Sequence, residues 1–206
     1  MSKLTSNMVS EKNKKGLYTQ TLGNGKETLV FLAGLGGTTR YWEARMEPLK
    51  NNYRIVLVDL FGFGRSPMPI TTYTLDRHIE YLEKALSHLP SFTMIGHSLG
   101  ALLTVAYTAR HPEQVKNIAI ISLPYFESKE VAFEYMRHGP VKGGFLYTNK
   151  FLAMMTCMFS RRVFGWTIPR FAQDIPSEVL EDLVKHNMFS SISSLWEVVY
   201  NYDVYV

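Results

Sequence analysis

A chain of 206 residues, 46% hydrophobic and 19% charged, holds enough apolar side chains for one ordinary core, which excludes global disorder. Lysine and arginine (22) exceed aspartate and glutamate (18) by four without forming a long basic run, so the charge gives no footing for a nucleic-acid partner. One cysteine, Cys157, excludes an internal disulfide framework and a thiolate-based metal site, and fits a reducing, cytoplasmic setting.

The amino terminus is polar, with Glu11, Lys12, Lys14 and Lys15 where a signal peptide would need an apolar core. Leu17 to Leu22 reads as a short strand. Gly23-Asn24-Gly25 follows, and an Asn-Gly pair readily takes positive φ, so Thr28 to Ala33 is expected to return as its antiparallel hairpin partner. That run (TLVFLA) is apolar throughout, as in a strand covered on both faces. After Gly34-Leu35-Gly36-Gly37, Thr38 or Thr39 is expected to cap a helix reaching about Lys50.

Tyr53 to Leu60 is a further buried strand, and Phe61 to Pro67 must be a loop. Thr74 is a plausible N-cap, with Leu75, Ile79, Leu82, Leu86 and Leu89 at helical spacing on one face. Leu89 to Ala109 has 21 residues without a formal charge, but Pro90, Gly96 and Gly100 make it poor material for a membrane-spanning helix. It reads instead as a strand at Ser91 to Ile95, a tight turn, and a helix from Leu99 to Arg110 stopped by His111-Pro112. Another strand follows at Val115 to Leu123. A soluble α/β protein is expected, with a mostly parallel sheet and helices on both faces.

The texture changes after Pro124. Aromatic and methionine-rich helical segments replace buried strands, for example Phe151 to Phe159 and Ser177 to Tyr200. Residues 1–124 are therefore read as the sheet core. Residues 125–206 are read as a helical lid over the sheet edge where ligands bind.

Gly96-His97-Ser98-Leu99-Gly100 has the form G-x-S-x-G. A serine at a sharp strand-to-helix turn takes strained backbone angles, and small residues two positions either side let strand and helix approach. Such a turn lifts the hydroxyl above the sheet beside a helix N-terminus. The plainer reading is a glycine-rich packing turn; the apolar strand before it and the apolar helix after it favour the nucleophile. Gly34 and Gly36 belong to a loop that follows a strand, the right place for backbone donors. With the N–H of Leu99, the N–H of Leu35 can hold the oxyanion formed when Ser98 attacks a carbonyl. Phosphate binding by the same glycines ranks low, because neither G-x-G-x-x-G spacing nor a Walker lysine is present. No cofactor and no metal are called for.

Three landmarks in this order, the glycine loop at Gly34 to Gly37, Asp59-Leu60-Phe61-Gly62-Phe63-Gly64-Arg65-Ser66 after the next strand, and the GHSLG turn, make the chain similar to the α/β-hydrolase family. Coverage is strong from about Gly25 to Pro124. The resemblance gives the D-x-x-G-x-G-x-S stretch a structural role. Serine at position 98 separates the chain from the epoxide hydrolase and haloalkane dehalogenase branches, which use aspartate there. Ala33 stands where the family usually has a histidine before the loop glycine.

The same resemblance implies that the catalytic acid and histidine come after the lid, beyond Val206. The chain is thus expected to be a fragment of a longer hydrolase, its core incomplete at the C-terminus and its activity weak or absent. None of the six histidines is a good substitute. His97 should point away from the hydroxyl, His78 and His88 read as solvated or rim residues, and His111 lies at the far end of its helix. His138 and His186 fall in the lid. Glu127 is a weak acid candidate, since some branches place a carboxylate just after the strand that follows the elbow helix. The strand at Val115 to Leu123 would remain a sheet edge, open to self-association.

Phe151, Met154, Met155, Met158, Phe159 and Trp166 suggest an adaptable apolar ceiling, unless they only pack the lid onto the core. The expected substrate is a small apolar ester, thioester or related acyl compound, with carbon–carbon bond hydrolysis of a diketone not separable from it. The rival reading is a catalytically silent module of the same fold that binds a ligand or a partner.

Overall fold

The computed structural model describes residues 9–11, 16–139, 143–159, 181–182 and 187–201. Six strands form one sheet in the order β1-β2-β4-β3-β5-β6: β1 (Val9–Glu11), β2 (Thr19–Leu22), β3 (Glu27–Leu32), β4 (Tyr53–Val58), β5 (Phe92–His97) and β6 (Val115–Ile121). β3 to β6 are mutually parallel, while β1 and β2 run antiparallel to their neighbours.

The expected hairpin of β2 with β3 does not form. β2 pairs antiparallel with β4, Thr19 opposite Val58 and Leu22 opposite Ile55, so β4 lies between β2 and β3. The intervening turn shows why. Gly23 holds φ 69°, and a Cβ there would stand 2.3 Å from the Tyr53 carbonyl oxygen; one at Gly25 would stand 2.0 Å from the Asn52 oxygen. The glycines let the turn press on the entry to β4, a long-range contact rather than a two-residue reversal.

Period-two alternation divides the central strands between two cores. Val30, Leu32, Val56, Val58 and Met94 face one side, where Ile79, Leu82 and Leu86 of helix α2 (Leu75–Leu86) and Leu99, Leu102 and Leu103 of helix α3 (Leu99–Arg110) pack. Phe31, Ile55, Leu57 and Ile95 face the other, against Trp42 and Met46. Trp42 lies on α1 (Thr39–Glu43), a short helix whose N-cap Thr38 accepts from the Arg40 N–H. The helix expected to reach Lys50 stops at Glu43, and the chain resumes as a 3₁₀ turn at Glu47–Leu49. Pro48 has no N–H and restricts the residue before it, which suits a separate turn better than a continued helix. Thr74 caps α2 as expected, accepting from the Arg77 N–H.

Beyond β6 come α4 (Lys129–His138), α5 (Lys150–Phe159) and α6 (Met188–Ser194), the last running into a π turn at Leu195–Val199. Ser128 and Asn187 cap α4 and α6 through N–H groups three residues on. Ala153 and Cys157 of α5 pack with Ile192 of α6. The end of this region is tied into the main core: Val198 is buried among the α2 and α3 side chains, and the Tyr73 N–H donates to Ser193 Oγ at 2.7 Å. No helix among the described residues is long and apolar enough to cross a membrane.

Candidate active site

The strand–turn–helix read from GHSLG is present. β5 ends at His97, α3 starts at Leu99, and Ser98 between them holds φ 53° and ψ −116°. Both flanking glycines are sterically required. A Cβ at Gly96 would meet the Gly100 carbonyl oxygen at 2.3 Å and Thr104 Oγ1 at 2.5 Å, and one at Gly100 would stand 2.6 Å from the carbonyl oxygens of Leu32 and Ala33. Helix α3 is thereby drawn down onto β3 and β5, and Ser98 is left half-buried at the carboxyl edge of the sheet.

The 34–37 loop lies against the same turn. A Cβ at Gly34 would sit 3.1 Å from the Ser98 Cβ and 3.0 Å from His97 Nδ1. The loop closes with the Gly37 N–H donating to the Gly34 carbonyl at 2.9 Å, with Gly36 at φ 76°. Leu35 packs its side chain against the main core. Among the described residues, the N–H groups of Leu35 and Leu99 have no acceptor, and Ser98 Oγ makes no hydrogen bond. Unpaired N–H groups at the first turn of a helix are the ordinary condition of its N-terminus.

Asp59-to-Ser66 is a knot of hydrogen bonds beneath this loop. The buried Asp59 carboxylate accepts from the Thr39 N–H at 2.6 Å and the Arg65 N–H at 2.8 Å, with Arg65 Nε at 3.7 Å. Burial pushes the Asp59 carboxyl above its ordinary pKa, while those N–H groups and the guanidinium pull it back. Ser66 Oγ donates to the Asp59 carbonyl and accepts from the Tyr18 N–H. Gly64 at φ 57° leaves room for the carboxylate, which a Cβ there would meet at 2.3 Å.

The histidines are dispersed. His97 stacks on Tyr41, ring centroids 5.4 Å apart, and burial lowers its pKa. His78 overturns the expectation of a solvated or rim position: it is 1% exposed, lies beside Phe61 and Tyr73, and its Nε2 is 3.0 Å from Ser194 Oγ. Its place on the inward face of α2, where α6 covers it, accounts for the difference. Burial drives its pKa down to about 4. His88 is exposed, His111 is 2.8 Å from Glu83 at the far end of α3, and His138 is exposed beside Glu134. His186 lies outside the described residues, as does Trp166. Glu127 is exposed, just ahead of the α4 cap.

Three features are not signalled by the sequence. Tyr41 supports His97, Ser122 at the end of β6 has φ 51°, and Asp182 accepts from Thr38 Oγ1 at 2.7 Å and Arg40 Nη1 at 3.0 Å. The last joins positions 144 residues apart, which local spacing does not signal. Among the described residues, no three His, Cys, Asp or Glu side chains gather to hold a metal ion.

A family model described as alpha/beta hydrolase fold matches residues 27–167. Over 111 residues the chain is 34% identical to a probable lysophospholipase, BODYGUARD 2, of Arabidopsis thaliana; the match covers 50% of this chain and 24% of that protein. The putative carbamate hydrolase RutD of Yersinia enterocolitica is 33% identical over 50% of this chain and 38% of its own length. The first of these shows that the chain spans about a quarter of a curated relative it matches. A hydrolase from Pseudomonas aeruginosa superposes with a TM-score of 0.65 at 17% identity, over 96% of this chain and 74% of that one. The epoxide hydrolase CorEH gives 0.65 at 16% identity, over 95% and 73%.

Proposed function

The chain belongs to the α/β-hydrolase family, and from that premise we propose that it carries the nucleophile and oxyanion donors of a serine hydrolase acting on a small apolar ester, thioester or related acyl compound. The observation that carries this is the strained Ser98, half-buried at the sheet's carboxyl edge beside the 34–37 loop, with the N–H groups of Leu35 and Leu99 lacking acceptors among the described residues. Relatives named as a probable lysophospholipase and a putative carbamate hydrolase support acyl chemistry.

In this scheme Ser98 Oγ adds to the carbonyl carbon and gives its proton to a base. The carbonyl π electrons move onto oxygen, where the N–H groups of Leu35 and Leu99 hold the charge. Collapse expels the alkoxide or thiolate, which takes up a proton, and water later releases the acid. Among the described residues no imidazole is bonded to Ser98 Oγ, so the base and its orienting acid lie outside them. Without a triad, oxyanion hole and binding leave only about 10³–10⁴-fold catalysis over water. With the described residues alone, turnover at Ser98 is therefore expected to be slow.

In the same reading residues 1–124 are the chemical core and residues 125–206 the lid. The outer edge of β6 is the surface for self-association, and the single cysteine of the sequence, Cys157, supports a cytoplasmic setting. That no imidazole among the described residues is bonded to Ser98 Oγ favours one rival, a silent module that binds a ligand without turning it over. Hydrolysis of p-nitrophenyl butyrate by the chain and by Ser98→Ala separates the two. Slow release lost in the variant supports the nucleophile; equal release from both proteins contradicts it.

A further inference from the structure

Among the described residues only two other than glycine hold a left-handed φ, Ser98 at 53° and Ser122 at 51°. They are neighbours across the sheet. His97 stands opposite Ile121 in the parallel pairing of β5 and β6, and the Ser98 N–H donates to the Ile121 carbonyl at 3.0 Å. Paired strands lie about 4.8 Å apart, so position 122 leaves the sheet roughly one strand spacing from position 98, at the same edge.

Part of the Ser122 turn has a structural use. It sends Leu123 back against the main core, and the Tyr125 N–H donates to the Leu123 carbonyl at 3.0 Å. Glycine would make such a turn without strain, and the described chain uses glycine at its other left-handed positions: 23, 36, 62, 64 and 143. Only at 98 and 122 does serine take that place. What serine adds over glycine there is a hydroxyl, and Ser122 is exposed, its hydroxyl without a partner among the described residues. Strained residues of this kind are retained chiefly where the side chain serves a site.

We infer that Ser122 is a specificity-determining residue for the chemistry at Ser98. Its hydroxyl hydrogen-bonds a polar atom next to the scissile carbonyl, so acyl compounds carrying such an atom are preferred over plain alkyl ones. A hydroxyl both donates and accepts, which suits an ether or hydroxyl oxygen or a carbamate N–H. The inference rests on the acyl-transfer reading above.

The test compares p-nitrophenyl methoxyacetate with p-nitrophenyl butyrate, near-isosteres that differ by an oxygen in place of a methylene. The ratio of their Ser98-dependent acylation rates is measured in the wild type, Ser122→Gly and Ser122→Asn. Intrinsic ester reactivity cancels when ratios are compared between proteins. Loss of the hydroxyl in Ser122→Gly should lower the methoxyacetate-to-butyrate ratio about three- to tenfold. Ser122→Asn tolerates the left-handed φ, keeps a donor and should recover at least part of it. An unchanged ratio in both variants, whatever happens to their melting temperatures, means that Ser122 only shapes the turn and overturns the inference alone. If the wild type shows no Ser98-dependent acylation of either ester, the parent reading fails and this inference fails with it.

Discussion

β5 and β6 lie side by side in one sheet and both read as apolar strands, yet they live in different solvents. β5 is paired on both edges and packed under α3, with Phe92 and Met94 essentially closed to water. Among the described residues β6 is paired on one edge only. Ile118 and Ile121 are 44% and 42% exposed, and of its seven residues only Val115 is buried. An apolar run records what a strand can bury; neighbours decide what it does bury. The candidate chemistry sits at the seam between the two: Ser98 is held by the covered strand, and its N–H is anchored on the open one.

The sharpest break of this contrast is a side chain added on the covered side. Gly100→Ala places a Cβ 2.6 Å from two backbone oxygens that cannot swing away. It should cost about 3 kcal/mol or more and lower the melting temperature by about 10 °C. Ile118→Ala on β6 should cost under about 1 kcal/mol in the same calorimetric experiment. Equal losses at the two positions would contradict the contrast.

A smaller effect comes from His78, whose neutral ring is buried where α2 meets α6. Its pKa falls from 6.5 to about 4 on folding, so between those values the unfolded chain binds more protons than the folded one. Stability is therefore whole above pH 6.5 and is lost as pH falls toward 4. Lowering the pH from 6.5 to 4.5 should remove on the order of 2 kcal/mol in urea melts. His78→Phe should flatten that part of the profile; an unchanged slope would show that the ring is not the group responsible.

The smallest effect on stability, within about 0.5 kcal/mol, is expected for Ile118→Lys, because the side chain is already partly in water. Its consequence lies in association instead. A lysine on an open strand discourages edge pairing, so light scattering at matched concentration should show a larger monomer fraction than the wild type. No change in mass distribution would remove β6 as the contact.

Local signals were legible in the sequence and long-range ones were not. Thr74 as a cap and Leu99 to Arg110 as a helix follow from residues within a few positions of one another, and the structure has both at those places. The pairing of β2 with β4 depends on the backbone at Asn52 and Tyr53 meeting two glycines some 30 positions earlier, and the Asn-Gly pair pointed to the wrong partner. The candidate site divides in the same way. Ser98, Gly96, Gly100 and the 34–37 loop could be read from spacing. Burial of His78 depends on Ser194, 116 residues away, and the strain at Ser122 has no compositional mark.

We propose that the fold sets the hydroxyl at 98 apart from the chain's other hydroxyls as a slow nucleophile. This is tested most directly by reacting the native chain with a fluorophosphonate and locating the adduct by peptide mass spectrometry. The account predicts a single adduct, slow to form, on Ser98, absent from Ser98→Ala and absent after unfolding in guanidinium. Modification spread over several serines and tyrosines, or proceeding equally in the unfolded chain, would contradict it.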